Sequence, residues 1–323
     1  MLERTALTSK LGGFGTTIFD DMSALAVETG ANNLRQGFPD TDGPAELLDA
    51  SVEAIRRGPN QNPPGLGAPE LREAIAEHQR RFYGYELDPA NEIVVTAGAT
   101  EALAGALLGM LDPGDEVVVF EPMYDSYQAG IALAGARAVP VLLRPDGDGR
   151  YVFDPDQLRS AISDRTKLIL VNTPHNPTGK VFTRDELTLV GEVAIEHDLI
   201  VVTDEVYEHL LFDGRTHVPM TTLPGMAERT LTISSGGKTF HTTGWKIGWR
   251  SGAEPLVAAA KTAKQFLTFV NGAPFQPAMA VGLRMPDTYF DTLAATLQTA
   301  RDRLVDGLRA AGFTTHAVSY THL

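Results

Sequence analysis

The feature that most restricts this chain is a repeated pairing of a short apolar run with a helical pattern. The runs are "EIVVTAG" (92–98), "DEVVVFEP" (115–122), "TKLILVNTP" (166–174), "LIVVTDEVY" (199–207) and "TLTISS" (230–235). Each is rich in β-branched residues and apolar at consecutive positions rather than alternate ones. Strands of that kind are buried on both faces, as in a parallel sheet. Helix patterns lie between them: "ATEALAGALLGML" (99–111), "MYDSYQAGIALAGA" (123–136), and a segment to His197 opened by the capping box Thr183–Glu186. The predicted fold is α/β, with a mostly parallel sheet covered by helices on both faces.

A long helix pattern covers 286–311 and stops at Gly312, and the residues after it begin a further strand. The expected organisation is an arm and part of a small domain over 1–45, a large domain over 46–285, and a linking helix with the start of a small, incomplete α+β domain over 286–323.

Ligands of open parallel sheets bind at the carboxyl ends of the strands. Gly98, Ala99 and Thr100 follow the first run at a helix N-terminus, where free N–H groups suit a phosphate. Tyr124 follows the second run, Asn172 and Asn176 the third, Asp204 and Tyr207 the fourth, and Ser235 and Lys238 the fifth. Each has a plain alternative. Asp204 reads equally as a helix cap, Tyr124 as a packing residue, and Asn176-Pro177 as a turn. Asp204, Glu208 and His209 read as a metal site only if partners come from elsewhere. Lys238 follows glycine as in a nucleotide-binding loop, but that loop needs glycine at 232, where this chain has Thr232. The hydrolase pattern G-x-S-x-G is absent.

Composition narrows the classes. A net charge of −14 disfavours nucleic acid and anionic membrane as partners. The chain has no cysteine, which removes disulfides, cysteine–zinc sites and cysteine nucleophiles. No apolar run reaches the roughly 18 residues of a membrane span, and the first residues lack a signal-peptide core. A cytoplasmic location is the expectation.

Six segments, in order, carry a resemblance: "NLRQGFPD", "TAGATEAL", "FEPMYDSY", "NTPHNPTGKVF", "TDEVYEHL" and "SSGGKTFHTTGWKIGW". Over about 16–318 the chain resembles the fold-type I aminotransferases that use pyridoxal 5′-phosphate. It is nearest the branch containing kynurenine–glutamine, methionine and N-succinyldiaminopimelate aminotransferases. The resemblance implies that Lys238 forms the Schiff base with the cofactor aldehyde. It implies that Ser235, Lys246 and the backbone at Gly98, Ala99 and Thr100 hold the phosphate. Asp204 would face the pyridine nitrogen, Asn176 and Tyr207 the ring oxygen, and Tyr124 one ring face. Phe19, Gly37 and Asn176 would lie near the substrate, an amino acid or 2-oxo acid, in a homodimer with shared sites.

"FVNGAPFQPA" (269–278) looks most like the succinyldiaminopimelate enzymes, so N-succinyl-diaminopimelate with 2-oxoglutarate is the expected pair. Kynurenine, glutamine or methionine as substrate, and carbon–sulfur β-lyase chemistry, are the alternatives. Two departures stand out. Many relatives carry Tyr where this chain has Asn62. The family's C-terminal arginine for the substrate carboxylate has no match, since Arg250, Arg284 and Arg301 fall elsewhere. A truncated copy with weak or no turnover is therefore a further expectation.

Overall fold

All five apolar runs form strands in the computed structural model, which describes residues 7–15, 18–31, 41–58, 60–315 and 318. The chain opens with α1 (Ile18–Thr29), α2 (Ala45–Arg57) and α3 (Pro69–Tyr83). Then β1 (Ile93–Ala97) leads into α4 (Gly98–Met110), β2 (Glu116–Glu121) into α5 (Asp125–Ala134), and β3 (Arg137–Leu142) follows. A two-stranded ribbon of β4 (Arg144–Pro145) and β5 (Tyr151–Val152) precedes α6 (Pro155–Ser160). Next come β6 (Thr166–Asn172), α7 (Arg184–Glu196), β7 (Ile200–Asp204), β8 (Thr230–Ser235) and the one-turn α8 (Gly236–Thr239). The chain continues through β9 (Ile247–Gly252), α9 (Glu254–Lys264), α10 (Phe275–Leu283) and α11 (Asp287–Ala310).

Among the described residues, seven strands form one sheet in the order β1-β9-β8-β7-β6-β2-β3. It is parallel except for β9, which runs antiparallel to both neighbours. Two of these strands escape the apolar pattern. β3 contains Pro140 and lies at the sheet edge, where a missing N–H is tolerated. β9 contains Arg250 and two glycines.

Period-two alternation sends side chains of each strand to opposite faces. Val117, Val119, Leu168, Leu170, Val202 and Ile233 pack with α4 and α5 on one face. Val118, Phe120, Ile169, Val171 and Val201 pack with α7 on the other. A third cluster joins β1 and β9 to α2, α3 and α10 through Ile93, Val95, Trp249, Leu47, Ile75 and Met279. Full burial of such side chains contributes about 1.5–3 kcal/mol each. Truncating a central one, Ile233→Ala, is expected to cost about 2–5 kcal/mol.

The expected capping box is formed. Thr183 Oγ1 accepts from Glu186 N at 3.2 Å, and Glu186 Oε2 accepts from Thr183 N at 2.8 Å. Glu186 Oε1 also accepts from Lys180 Nζ at 2.6 Å, which ties α7 to the loop after β6. No helix among the described residues is long and apolar enough to cross a membrane.

Candidate active site

Strand register brings the polar residues to one edge. Asn172 pairs with Asp204, and Asp204 with Ile233, so Ser235 lies at the end of β8 beside them. Because β9 is reversed, its first residues reach the same edge: Ile247 lies opposite Ala97, and Gly248 opposite Ser235. Lys246, immediately before β9, is thereby delivered to the carboxyl ends of the parallel strands.

Gly98 begins α4 at φ +73, a conformation that favours glycine. Thr96 Oγ1 donates to its carbonyl at 2.9 Å. A Cβ on Gly98 would lie 3.6 Å from Lys246 Cδ, so the lysine stem runs alongside the start of α4. A Cβ on Gly248 would lie only 2.6 Å from the Gly98 carbonyl carbon, so β9 can pass here only as glycine. The first N–H groups of α4 have no partner within the helix. Free donors, the helix dipole and a lysine side chain together suit a phosphate.

Asp204 is buried. Its Oδ2 accepts from the Tyr127 hydroxyl at 2.7 Å, and its Oδ1 takes a long 3.4 Å bond from Val206 N. Burial pushes its pKa up to about 6, against the lowering effects of Tyr127, the Val206 N–H and Lys238. No described helix starts at Asp204, so the residue is not a helix cap. Lys238 sits on α8, with Nζ 5.6 Å from the centre of the Tyr207 ring. Burial and then the Lys246 charge hold its amine below the ordinary lysine pKa, while Asp204 opposes them. A depressed lysine pKa raises the neutral, nucleophilic fraction.

Asn176 Nδ2 lies 3.4 Å from the Tyr207 hydroxyl, and Asn176 N donates to Asn172 Oδ1 at 2.7 Å. Asn172 Nδ2 in turn donates to the carbonyls of Asp204 and Pro174. Tyr124 takes the N-cap position of α5, half-buried, 5.7 Å ring to ring from Tyr127. Phe19 lies on α1, but its side chain, like the whole of Gly37, is outside the described residues. Asn62 is exposed in the segment after α2.

Sequence reasoning missed Tyr127. The available signal was its spacing in "YDSY", which places it on the same helix face as Tyr124. Sequence reasoning also grouped Asp204, rather than His78, with Glu208 and His209 as a possible metal set. The structure instead brings ligand atoms of His78, Glu208 and His209 within 4.8 Å of one another. The two Nε2 atoms are 2.7 Å apart, a direct hydrogen bond. A tetrahedral ion about 2.0–2.1 Å from each would need them about 3.3 Å apart. Ser234 Oγ donates to Glu208 Oε1, and His217 pairs with Glu205, so this cluster braces the strand ends behind Asp204. The three arginines have other partners: Arg250 donates to the Ala102 carbonyl, Arg284 pairs with Glu77, and Arg301 with Asp213.

These groups fit pyridoxal 5′-phosphate. The glycine-lined start of α4 matches its phosphate. The buried Asp204, with its pKa up near 6, matches a protonated ring nitrogen, and the pKa-depressed amine of Lys238 matches its aldehyde.

Comparison with known proteins gives the same reading. The family model for aminotransferase class I and II matches residues 29–319. The chain is 51% identical over 308 residues to the probable N-succinyldiaminopimelate aminotransferase DapC of Mycobacterium tuberculosis, covering 95% of this chain and 77% of that protein. It is 41% identical to the methionine aminotransferase of Escherichia coli, covering 93% and 77%. The solved structure of the M. tuberculosis N-succinyldiaminopimelate aminotransferase superposes with a TM-score of 0.96 at 50% identity, over 98% of this chain and 82% of that one. A match along almost the whole chain, at half identity, makes this protein a member of the class I and II aminotransferase family, whose cofactor is pyridoxal 5′-phosphate.

Proposed function

We propose that the amino group this aminotransferase moves is that of N-succinyl-diaminopimelate, passed to 2-oxoglutarate. The observation that carries the reading is the 51% identity to the M. tuberculosis relative, against 41% to the methionine enzyme.

When bound, the cofactor supplies an aldehyde for the substrate amine and a ring that takes up electrons from the substrate Cα. The chain does the rest. Lys238 Nζ, its pKa depressed by burial, is the base that moves the Cα proton. Placed proton transfer of this kind contributes about 10²–10⁴-fold. Asp204 keeps a proton on the ring nitrogen. Asn176 Nδ2 and the Tyr207 hydroxyl orient the ring oxygen. The N–H groups of Gly98, Ala99 and Thr100, with Ser235 and Lys246, bind the phosphate, and Tyr124 excludes water from one ring face. Asn176 borders the substrate. Residues 46–285 form the cofactor-binding body.

The protein works as a homodimer. An apolar edge supports this: Phe266 is 81% and Phe269 50% exposed, next to Leu267 and just beyond the buried Lys264–Glu101 pair. Sedimentation of the wild type and of Phe266→Ser tests it; a wild-type monomer removes the idea.

The substrate test is a panel of N-succinyl-diaminopimelate, methionine and kynurenine with 2-oxoglutarate, following glutamate formation. The first should react fastest; faster turnover of either other donor reassigns the substrate. Borohydride reduction of the holoenzyme followed by peptide mapping should label Lys238. Label on Lys246 or Lys264 instead would overturn the assignment, and Lys238→Ala should lower turnover by about 10²–10⁴-fold.

A further inference from the structure

We propose that Tyr127 is a positioning residue for this reaction: its hydroxyl fixes Asp204 Oδ2 and favours the ionised carboxylate, leaving Oδ1 to meet the ring nitrogen. The inference rests on the reading of Asp204 as the partner of that nitrogen.

The geometry is specific. Tyr127 is 3% exposed on the first turn of α5, its ring inside the core cluster beneath α4. A buried phenol needs an acceptor, and its hydroxyl donates to Asp204 Oδ2 at 2.7 Å. Val206 N also donates to this carboxylate, at 3.4 Å on Oδ1. One oxygen is therefore firmly held and the other only loosely.

The remaining groups around Asp204 do not replace this bond. Glu205, the next residue, repels its charge, and Lys238 from α8 attracts it weakly. The Tyr124 phenol, half-buried, interacts with Asp204 only through charge, while Tyr207 lies on the same turn. Burial and the Asp204 charge hold the Tyr127 phenol well above its ordinary pKa, so it stays a donor throughout the working range. Tyr127 does not compete with Asp204 for the proton; it only stabilises the charged form.

The test begins with cofactor-free protein, where Asp204 is titrated by infrared difference spectroscopy and its carboxylate band is assigned against Asp204→Asn. Tyr127→Phe keeps the ring and removes only the hydroxyl. Loss of a hydrogen bond to a charged group should move the Asp204 midpoint to higher pH by about one unit or more. The acid limb of the holoenzyme pH–rate profile should move the same way. An unchanged infrared midpoint overturns the proposal.

If Tyr127→Phe lacks a cooperative melting transition, site-specific 3-fluorotyrosine at 127 takes its place. This more acidic donor should lower the midpoint, and an unmoved midpoint again overturns the proposal. Full activity of Asp204→Asn would instead sink the ring-nitrogen role and leave the infrared result intact, so the two failures are distinguishable.

Discussion

Glu116 and Asp204 are buried carboxylates at opposite ends of one sheet, and the fold treats them in opposite ways. Glu116 opens β2 at the amino edge. Its oxygens accept from Arg137 at 2.7 Å, Ser163 at 2.8 Å and Arg165 at 2.8 Å. The Arg137 bond first, then Ser163 and Arg165, outweigh burial and hold its pKa at about 2. Asp204 closes β7 at the carboxyl edge with one short hydrogen bond from a neutral phenol, and its pKa sits at about 6. The chain can evidently complete the shell of a buried acid with cations. At Asp204 it does not, and the unmet demand for a positive partner marks the edge where a protonated ring would bind.

The largest test of this contrast is turnover. Asp204→Asn keeps shape but not charge and should lower the transamination rate by about 10²–10³-fold, while Glu116→Gln should leave it unchanged. Equal losses in the two variants would erase the distinction.

Stability without cofactor should show the next effect, with opposite signs at the two ends. Asp204 has a folded pKa raised above its unfolded value of 3.8. The folded state therefore loses ground as pH rises from about 4 to about 6, and the penalty persists above that. Two units correspond to about 3 kcal/mol. Asp204→Asn should stabilise cofactor-free protein at pH 8 by up to that amount, with no gain near pH 3.5. Denaturant melts at both values decide it; a destabilised variant at pH 8 would mean the carboxylate is already satisfied.

The smallest effect belongs to Glu116→Gln. A depressed carboxylate stabilises above its unfolded pKa near 4.5, and that stability is lost as pH falls toward 2. Arg137 and Arg165 are 63% and 67% exposed, so water screens their attraction. The loss at pH 7 should be only about 1 kcal/mol, and chemical melts across pH 3–7 should show it shrinking with acid.

Much of this arrangement is legible in the sequence because it follows from local rules. Apolar runs end at Asp204, Asn172 and Ser235, and the side chains after a buried strand have one edge to occupy. The capping box at Thr183 and Glu186 was readable for the same reason. β9 was not, because Arg250 is a fully buried arginine in a strand flanked by glycines, and a charge there hides the apolar signal. Without β9 the position of Lys246 cannot be derived from the residues around it. Nor can the bond from Tyr127 to Asp204 or the bonds from Arg137, Ser163 and Arg165 to Glu116, since each joins residues brought together only by strand order.

Lys238 and Lys246 stand on the same excursion, which leaves the sheet after Ser235 and re-enters it at Ile247 on the adjacent strand. Within it, Phe240 N donates to the Gly236 carbonyl and Thr242 N to the Gly237 carbonyl. The span between the two lysine backbones is thus set by one braced loop with both feet in neighbouring strands. α11 (Asp287–Ala310) lies outside that loop, so a shift confined to it would leave the span unchanged.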